Sequence, residues 1–365
     1  MSDLVSAASR YPELTVRGTP RDMGRQIGDA VGDLVRGFCD EALYSINKTV
    51  SIDRDTAARI SHESLTHVSQ FAPHLVEELH GLAEASVVSI ENLMLLQVRN
   101  QFSNATAQGV NGLQGCTALS IGASSMQSGR GIVAQNWDAD SALDPFTLVL
   151  TRQPDAAPAY ISVTQAGLIS YIGMNTAGLA ACVNTLPAPS RDVGVPHYFS
   201  LRTMFEQTSL VSAVDVLASA HRAIPVNIMM TTPDGPANVE GYIDEVKLLT
   251  DESLLVHTNH CLCPDRTLIN DEYPELIQSV PRLQRMTQLL SEVGPERKLT
   301  VQQIQLLLAD HDNYPQSICR HPNADKHGFW STVFSIVMDP TAREMYVSRG
   351  NPCENRFELY ELLDY

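Results

Sequence analysis

Gly115 and Cys116 stand at the head of an apolar, alternating run, CTALSIGA, that follows the polar stretch SNATAQGVNGLQG (103–115). That pattern predicts a strand opening at the cysteine. A free thiol titrates near about 8.5 and needs an adjacent base or cation to act as a nucleophile. No histidine lies close to Cys116 in sequence. Cutting the Gly115–Cys116 bond would supply a base on the same residue, an α-amine with a pKa of about 7.7–8. Glycine suits the other side of that bond: lacking Cβ, it tolerates strain and leaves its carbonyl open to the following thiol. The competing reading is plain packing, because cysteine is among the most buried residue types.

The second strand, GIVAQNWD, follows after SSMQSGRG. A turn centred near Gln127 sets Cys116 across from Asp138 and brings Gln135, Asn136 and Asp138 beside the thiol. Two further clusters have zinc-ligand chemistry. HTNHCLCPD holds His257, His260, Cys261 and Cys263; ADHDNYPQSICRHPNADKH holds Asp310, His311, Asp312, His321 and His327. In the first, Cys-x-Cys is tighter than the usual spacing and strand alternation turns neighbours to opposite faces, so buried thiols beside a polar turn are expected. The second reads as a polar loop, with His311 at the substrate entrance. The expected site uses neither metal nor cofactor.

Elements that position these residues follow from periodicity. Residues 19–110 are mostly helical. Thr19-Pro20-Arg21-Asp22 gives a cap hydroxyl, a proline at the first helical position and a carboxylate at the positive end of the dipole. Gly24, Gly28 and Gly32 recur on one face at about 1 kcal/mol each relative to alanine, which predicts close backbone packing against a neighbour. No Gly-Lys-Ser/Thr follows them, so they are not a phosphate loop. From Cys116 the grammar is short strands and turns. Helices return at 210–223, strands around 226–258, then helices through IQSVPRLQRMTQLLSEV and TVQQIQLLLADH, and a final hairpin across STVFSIVMDPTAREMYVSRG. That order predicts an α+β layered fold with largely antiparallel sheets.

With 365 residues, 44% of them hydrophobic, the chain can bury a large core. Its 42 acidic against 25 basic residues, a net charge of −17, argue against nucleic acid and anionic membrane. No basic start precedes an apolar run, and no stretch approaches the roughly 20 apolar residues of a span. Seven cysteines form no paired framework, so reduced thiols in a cytoplasm are expected.

GCTALSIG, AQNWDAD, GMNTAGLAACVNTL (173–186), HTNH (257–260) and SICRHP (317–322), in this order, resemble the N-terminal-nucleophile hydrolases. More narrowly, with VRGTPRDMGRQIG and GLAEASVVS before them, the chain is similar to the acyl-coenzyme A:6-aminopenicillanic-acid acyltransferase branch, the C45-type cysteine peptidases. The resemblance implies a four-layer αββα sandwich, preceded by a mainly helical N-terminal segment, in one integrated unit. It implies an N-to-S acyl shift at Gly115–Cys116 and hydrolysis of the resulting ester, leaving residues 1–115 as an α chain bound to a β chain of 116–365. Cys116 would then attack an amide or thioester carbonyl while its own α-amine shuttles the proton. By the same resemblance Asp138 holds the amine or nucleophile, Asn259 donates to the tetrahedral oxyanion, Asn184 is a further polar site position, and Arg320 brings a permanent positive charge. Gln135 departs from the bile-salt-hydrolase branch, which has arginine there, so bile-salt recognition is not expected.

The function expected is a self-processing amidohydrolase acting on a small-molecule amide or acyl donor. One alternative is an acyltransferase moving an acyl group from acyl-CoA to an amine such as 6-aminopenicillanic acid. Another is an uncleaved, non-catalytic ligand-binding relative. Partners are limited to substrate and the chain's own α and β fragments, with a homo-oligomer left open.

Overall fold

The computed structural model describes residues 9–47, 52–104, 115–274, 278–294, 297–322 and 330–363. Most of the 103–115 stretch and His327 lie outside the described residues. The chain opens with β1 (Glu13–Gly18), then α1 (Pro20–Asn47), α2 (Arg54–Phe71), α3 (Pro73–Ser86) and α4 (Ile90–Val98). Strands β2 (Gly115–Ile121), β3 (Ile132–Asp140), β4 (Thr147–Pro154), β5 (Tyr160–Gln165), β6 (Ile172–Asn175) and β7 (Ala180–Thr185) follow. After α5 (His197–Met204) and α6 (Leu210–Ser219) come β8 (Val226–Thr232), β9 (Gly235–Gly241), β10 (Val246–Thr250) and β11 (Leu254–His257). The last part holds α7 (Ile269–Glu272), α8 (Ser279–Val293), α9 (Val301–Leu308), β12 (Trp330–Asp339), β13 (Glu344–Arg349) and β14 (Glu358–Glu361).

The strands form two sheets, one ordered β1-β4-β5-β6-β7-β8-β9-β10 and the other β11-β2-β3-β12-β13-β14. Among the described residues every strand pairing is antiparallel except β1 with β4. The fold is therefore the mixed, antiparallel-rich class that the element order predicts. Helical periodicity does not reveal β1, a six-residue strand that draws the N-terminal segment into the larger sheet.

Strands β2 and β3 lie over β7 and β8, so the sheets face one another, while α8 and α9 rest against the outer side of the smaller sheet. Alternation along β2 sorts its side chains accordingly. Cys116 and Ala118 enter the large core; Leu119 and Ile121 enter the smaller one under α8 and α9. β3 divides likewise, with Val133 and Trp137 inward and Ile132 and Ala134 toward the helices.

The expected cap of α1 is present: the Asp22 amide donates to Thr19 Oγ1 at 3.3 Å and the Thr19 hydroxyl to Asp22 Oδ2 at 2.6 Å. The α1 glycines meet α3 as their spacing predicts. A Cβ on Gly24 would lie 2.0 Å from the Glu78 carbonyl oxygen, and one on Gly28 2.8 Å from the Ser86 nitrogen. Gly81 of α3 answers at 2.1 Å from the Arg21 carbonyl oxygen. Neither backbone can yield without separating the helices, so Gly24→Ala should cost about 1–3 kcal/mol through overpacking, despite alanine's better helix propensity. A lower urea midpoint at unchanged slope is the expected result; an unchanged midpoint would refute the close-packing argument.

Candidate active site

The hairpin register is one residue from the sequence expectation. Cys116 pairs with Trp137, and Asp138 stands opposite Gly115. A slip of one residue turns a side chain to the other face. Gln135 therefore shares the inward face with Cys116, whereas Asn136 and Asp138 point toward the α8–α9 side. Asn136 Nδ2 accordingly donates to the Leu308 and Ile318 carbonyls, both at 2.8 Å. The turn contains a bridge from Met126 to Leu299, and its residues do not divide evenly about Gln127.

Cys116 is 1% exposed. Its backbone N–H donates to Asn259 Oδ1 at 2.9 Å. Arg282 of α8 completes the frame, donating from Nη1 to the Cys116 carbonyl (2.5 Å) and Thr117 Oγ1 (2.9 Å), and from Nη2 to Asn259 Oδ1 (2.8 Å). A guanidinium can only donate, so this bond fixes which end of the Asn259 amide faces Cys116. Its Nδ2 turns the other way, donating to the carbonyl and hydroxyl oxygens of Thr185, each at 3.0 Å. The expectation of an oxyanion donor thus meets an arrangement in which the asparagine's oxygen, not its nitrogen, addresses the Cys116 amide.

Burial pushes the Cys116 thiol well up, and the Asp138 charge adds to the rise; the Asp138 backbone amide and the Arg282 and Arg320 guanidiniums oppose it. On the inward face Trp137 stacks on Phe334 with ring centres 4.9 Å apart, and its indole N–H donates to the Tyr171 hydroxyl at 2.9 Å. Nearby His197 is pushed down to about 3 by burial, with help from Arg99, and is therefore a neutral imidazole at working pH.

Asn184 binds strands together. It accepts from Gln135 Nε2 at 2.6 Å and donates to the His257 and Thr258 carbonyls at 3.1 and 2.7 Å, steadying the segment that delivers Asn259. Arg320 reaches Asp138 across β12. Its Nε lies 3.6 Å from Asp138 Oδ2, and its Nη2 donates to Gln278 Oε1 at 2.9 Å. Thr332 links the two, its hydroxyl donating to Asp138 Oδ1 at 2.7 Å and accepting from the Arg320 amide at 2.9 Å.

Burial raises the Asp138 carboxyl to about 6, against the pull of Arg320, Arg282 and the Thr332 hydroxyl. A carboxyl raised in the folded state stabilises most below its unfolded pKa, and that contribution is lost as pH rises toward 6. Between pH 4 and 7 the loss should be about 2 kcal/mol. In urea titrations on a Cys116→Ala background, Asp138→Asn should flatten this pH dependence. Parallel pH profiles for the two proteins would overturn the assignment.

His257, His260, Cys261 and Cys263 do not converge. His257 gives Nδ1 to the Thr258 carbonyl (2.8 Å) and Nε2 to Glu240 (3.0 Å), while Cys263 turns to Asp265. In the other cluster, Asp310 pairs with Arg285 at 2.7 Å, and His311 and His321 meet two cysteines instead.

A sequence profile of the acyl-coenzyme A:6-aminopenicillanic acid acyl-transferase family matches residues 125–354. The chain belongs to this family. Its membership makes it an enzyme of acyl-transfer and amide-bond chemistry. The 40 kDa form of acyl-coenzyme A:6-aminopenicillanic-acid-acyltransferase from Emericella nidulans is 28% identical over 344 residues, covering 93% of this chain and 92% of that protein. Among solved structures, a mutant conjugated bile acid hydrolase from Clostridium perfringens aligns at 11% identity and TM-score 0.44, covering 68% of this chain and 97% of that one. Penicillin V acylase from Agrobacterium tumefaciens aligns at 12% and 0.44, covering 68% and 86%.

Arg282 and Thr332 are absent from the motifs that single out the family, and Thr185 lies within one of them, next to Asn184, without having been assigned a role. Arg282 lies in an ordinary amphipathic helical pattern, and only the docking of α8 onto β2 brings it to Cys116. No helix among the described residues is long and apolar enough to cross a membrane.

Proposed function

We propose that this family member is a self-processing cysteine amidohydrolase that opens a non-peptide C–N amide bond through an acyl-enzyme on Cys116, within a four-layer αββα sandwich. The observation that carries this reading is the buried Cys116 amide held on Asn259 Oδ1, with Arg282 fixing both partners. That frame immobilises the bond to be broken and leaves the thiol on the same residue.

In processing, Cys116 Sγ adds to the Gly115 carbonyl carbon, the Gly115–Cys116 C–N bond breaks, and the thiol proton passes to the departing nitrogen. Water then hydrolyses the Gly115 thioester, giving a Gly115 carboxylate, a free thiol and a free Cys116 α-amine. The amine remains next to Asn259 Oδ1 and supplies the base that the precursor lacks. In turnover it takes the thiol proton as sulfur attacks the substrate carbonyl and returns it to the leaving amine. Asn259 Oδ1 holds the amine, and Arg320 with Asp138 sets the charge around the amine end. Seven free thiols fit a reducing, cytoplasmic setting.

The family's description favours a second outcome for the acyl-enzyme, transfer to an amine. Processed protein supplied with N-acyl amines or acyl-CoA, with and without 6-aminopenicillanic acid, separates the two by mass spectrometry of products. Free carboxylate as the main product is expected even with the amine present. Amide product in excess of carboxylate would replace hydrolase by transferase, and absence of any Cys116 acyl adduct would refute the mechanism.

A further inference from the structure

Four metal-binding side chains meet where the loop after α9 touches the turn between β13 and β14. Ligand atoms of His311, Cys319, His321 and Cys353 all lie within 4.8 Å of one another. The separations are 3.0 Å between the Nε2 atoms of His311 and His321, 3.5 Å between the two sulfurs, and 3.7 and 3.4 Å from His321 Nε2 to the Cys319 and Cys353 sulfurs. For a tetrahedral ion with Zn–S of about 2.3 Å and Zn–N of about 2.0–2.1 Å, neighbouring ligand atoms stand about 3.3–3.8 Å apart. Four of the six separations are therefore close to the edges of a zinc tetrahedron, the His311-to-sulfur pairs lie within 4.8 Å, and the two sulfurs are not bonded to one another.

The surroundings suit bound metal as well. Asn351 Nδ2 donates to Cys319 Sγ at 3.4 Å, the kind of bond that supports a thiolate ligand. His321 turns Nε2 to the cluster, and its Nδ1 lies 3.9 Å from Glu354 Oε1, beyond direct hydrogen-bond reach. Cys319 is buried, Cys353 and His321 are partly so, and His311 is exposed, leaving a route in from solvent.

We propose that His311, Cys319, His321 and Cys353 form a structural zinc site. Two thiolates and two neutral imidazoles balance a divalent charge, soft sulfur disfavours magnesium and calcium, and four protein ligands leave no open position for catalysis. Binding releases the two thiol protons to solvent as two S–Zn bonds form. The ion ties the 309–322 loop to the 350–357 turn. Arg320 stands between two ligands, its carbonyl accepting from Asn351 Nδ2 at 2.6 Å, so the metal would hold the backbone from which Arg320 reaches Asp138.

The test uses the full chain, reduced with a thiol-free reductant, stripped by chelator, incubated with zinc chloride and desalted, with metal read by mass spectrometry. About one zinc per chain is expected in wild type and in Cys261→Ser/Cys263→Ser, falling to roughly a tenth or less in Cys319→Ser/Cys353→Ser. His311→Ala, a change at the exposed ligand that spares the core, should weaken zinc binding by at least about tenfold. Cobalt(II) in place of zinc should give tetrahedral visible bands with thiolate-to-cobalt charge transfer. Wild-type protein that keeps no zinc, zinc that depends on Cys261 and Cys263, or a cobalt spectrum without charge transfer would each overturn the proposal.

Discussion

Under denaturing conditions, wild-type protein should resolve into fragments 1–115 and 116–365, whereas Cys116→Ala should run as one chain of 365 residues. The mutant keeps the Asn259 and Arg282 contacts, since both are made to the backbone of residue 116, but it has no sulfur to attack Gly115. It should fold, because a methyl group replaces a thiol at a buried site. It should also lose turnover by roughly 10⁴-fold or more, the scale seen when a nucleophile is removed. Intact mass and the N-terminal sequence of the larger fragment decide the matter. A folded wild-type chain that stays whole would leave Cys116 a packing residue and favour the ligand-binding alternative. Cleavage that persists in Cys116→Ala would point to an external protease.

Glu78→Ala should be the most damaging change away from Cys116, destabilising the protein by about 3–5 kcal/mol. Glu78 of α3 accepts from Arg152 Nε of β4 at 2.7 Å and lies 3.4 Å from Arg202 Nη2 of α5; all three side chains are at most 2% exposed. Arg202 also reaches Glu206 at 2.6 Å, and both guanidiniums lie over the Tyr160 ring. Removing the carboxylate strands the Arg152 cation away from water and leaves Arg202 with Glu206 as its carboxylate partner. Both arginines lie beyond Gly115 and the glutamate before it, so the cluster would clasp the α and β fragments once the bond between them is cut. Strand β1, paired parallel to β4, adds a second clasp. The expected outcome is co-elution of the two wild-type fragments on native gel filtration and their separation, or loss of folded material, in Glu78→Ala. Stable co-elution with an unchanged thermal midpoint would show that the ion cluster contributes nothing to the assembly.

Much of this molecule was legible in its sequence. The α1 cap, the glycine face of α1, the change from helical to strand grammar at Cys116, and the closing hairpin each rest on interactions within a few residues or on burial periodicity. The family motifs likewise pointed to Cys116, Asp138, Asn184, Asn259 and Arg320, because each type carries its chemistry wherever it is placed. What periodicity could not supply was register and docking. One residue of slip in the β2–β3 hairpin decided which face Asp138 occupies, since the side-chain period of a strand is two. Arg282 reaches the Cys116 carbonyl, and Thr185 the Asn259 side-chain amide, only because α8 and β7 approach β2 from opposite sides of one sheet. The His311, Cys319, His321 and Cys353 cluster had the same origin. Three of its members share one loop, but Cys353 arrives from another turn more than thirty positions along the chain. Tertiary packing decided these contacts because their energies depend on distances between segments that local sequence does not encode.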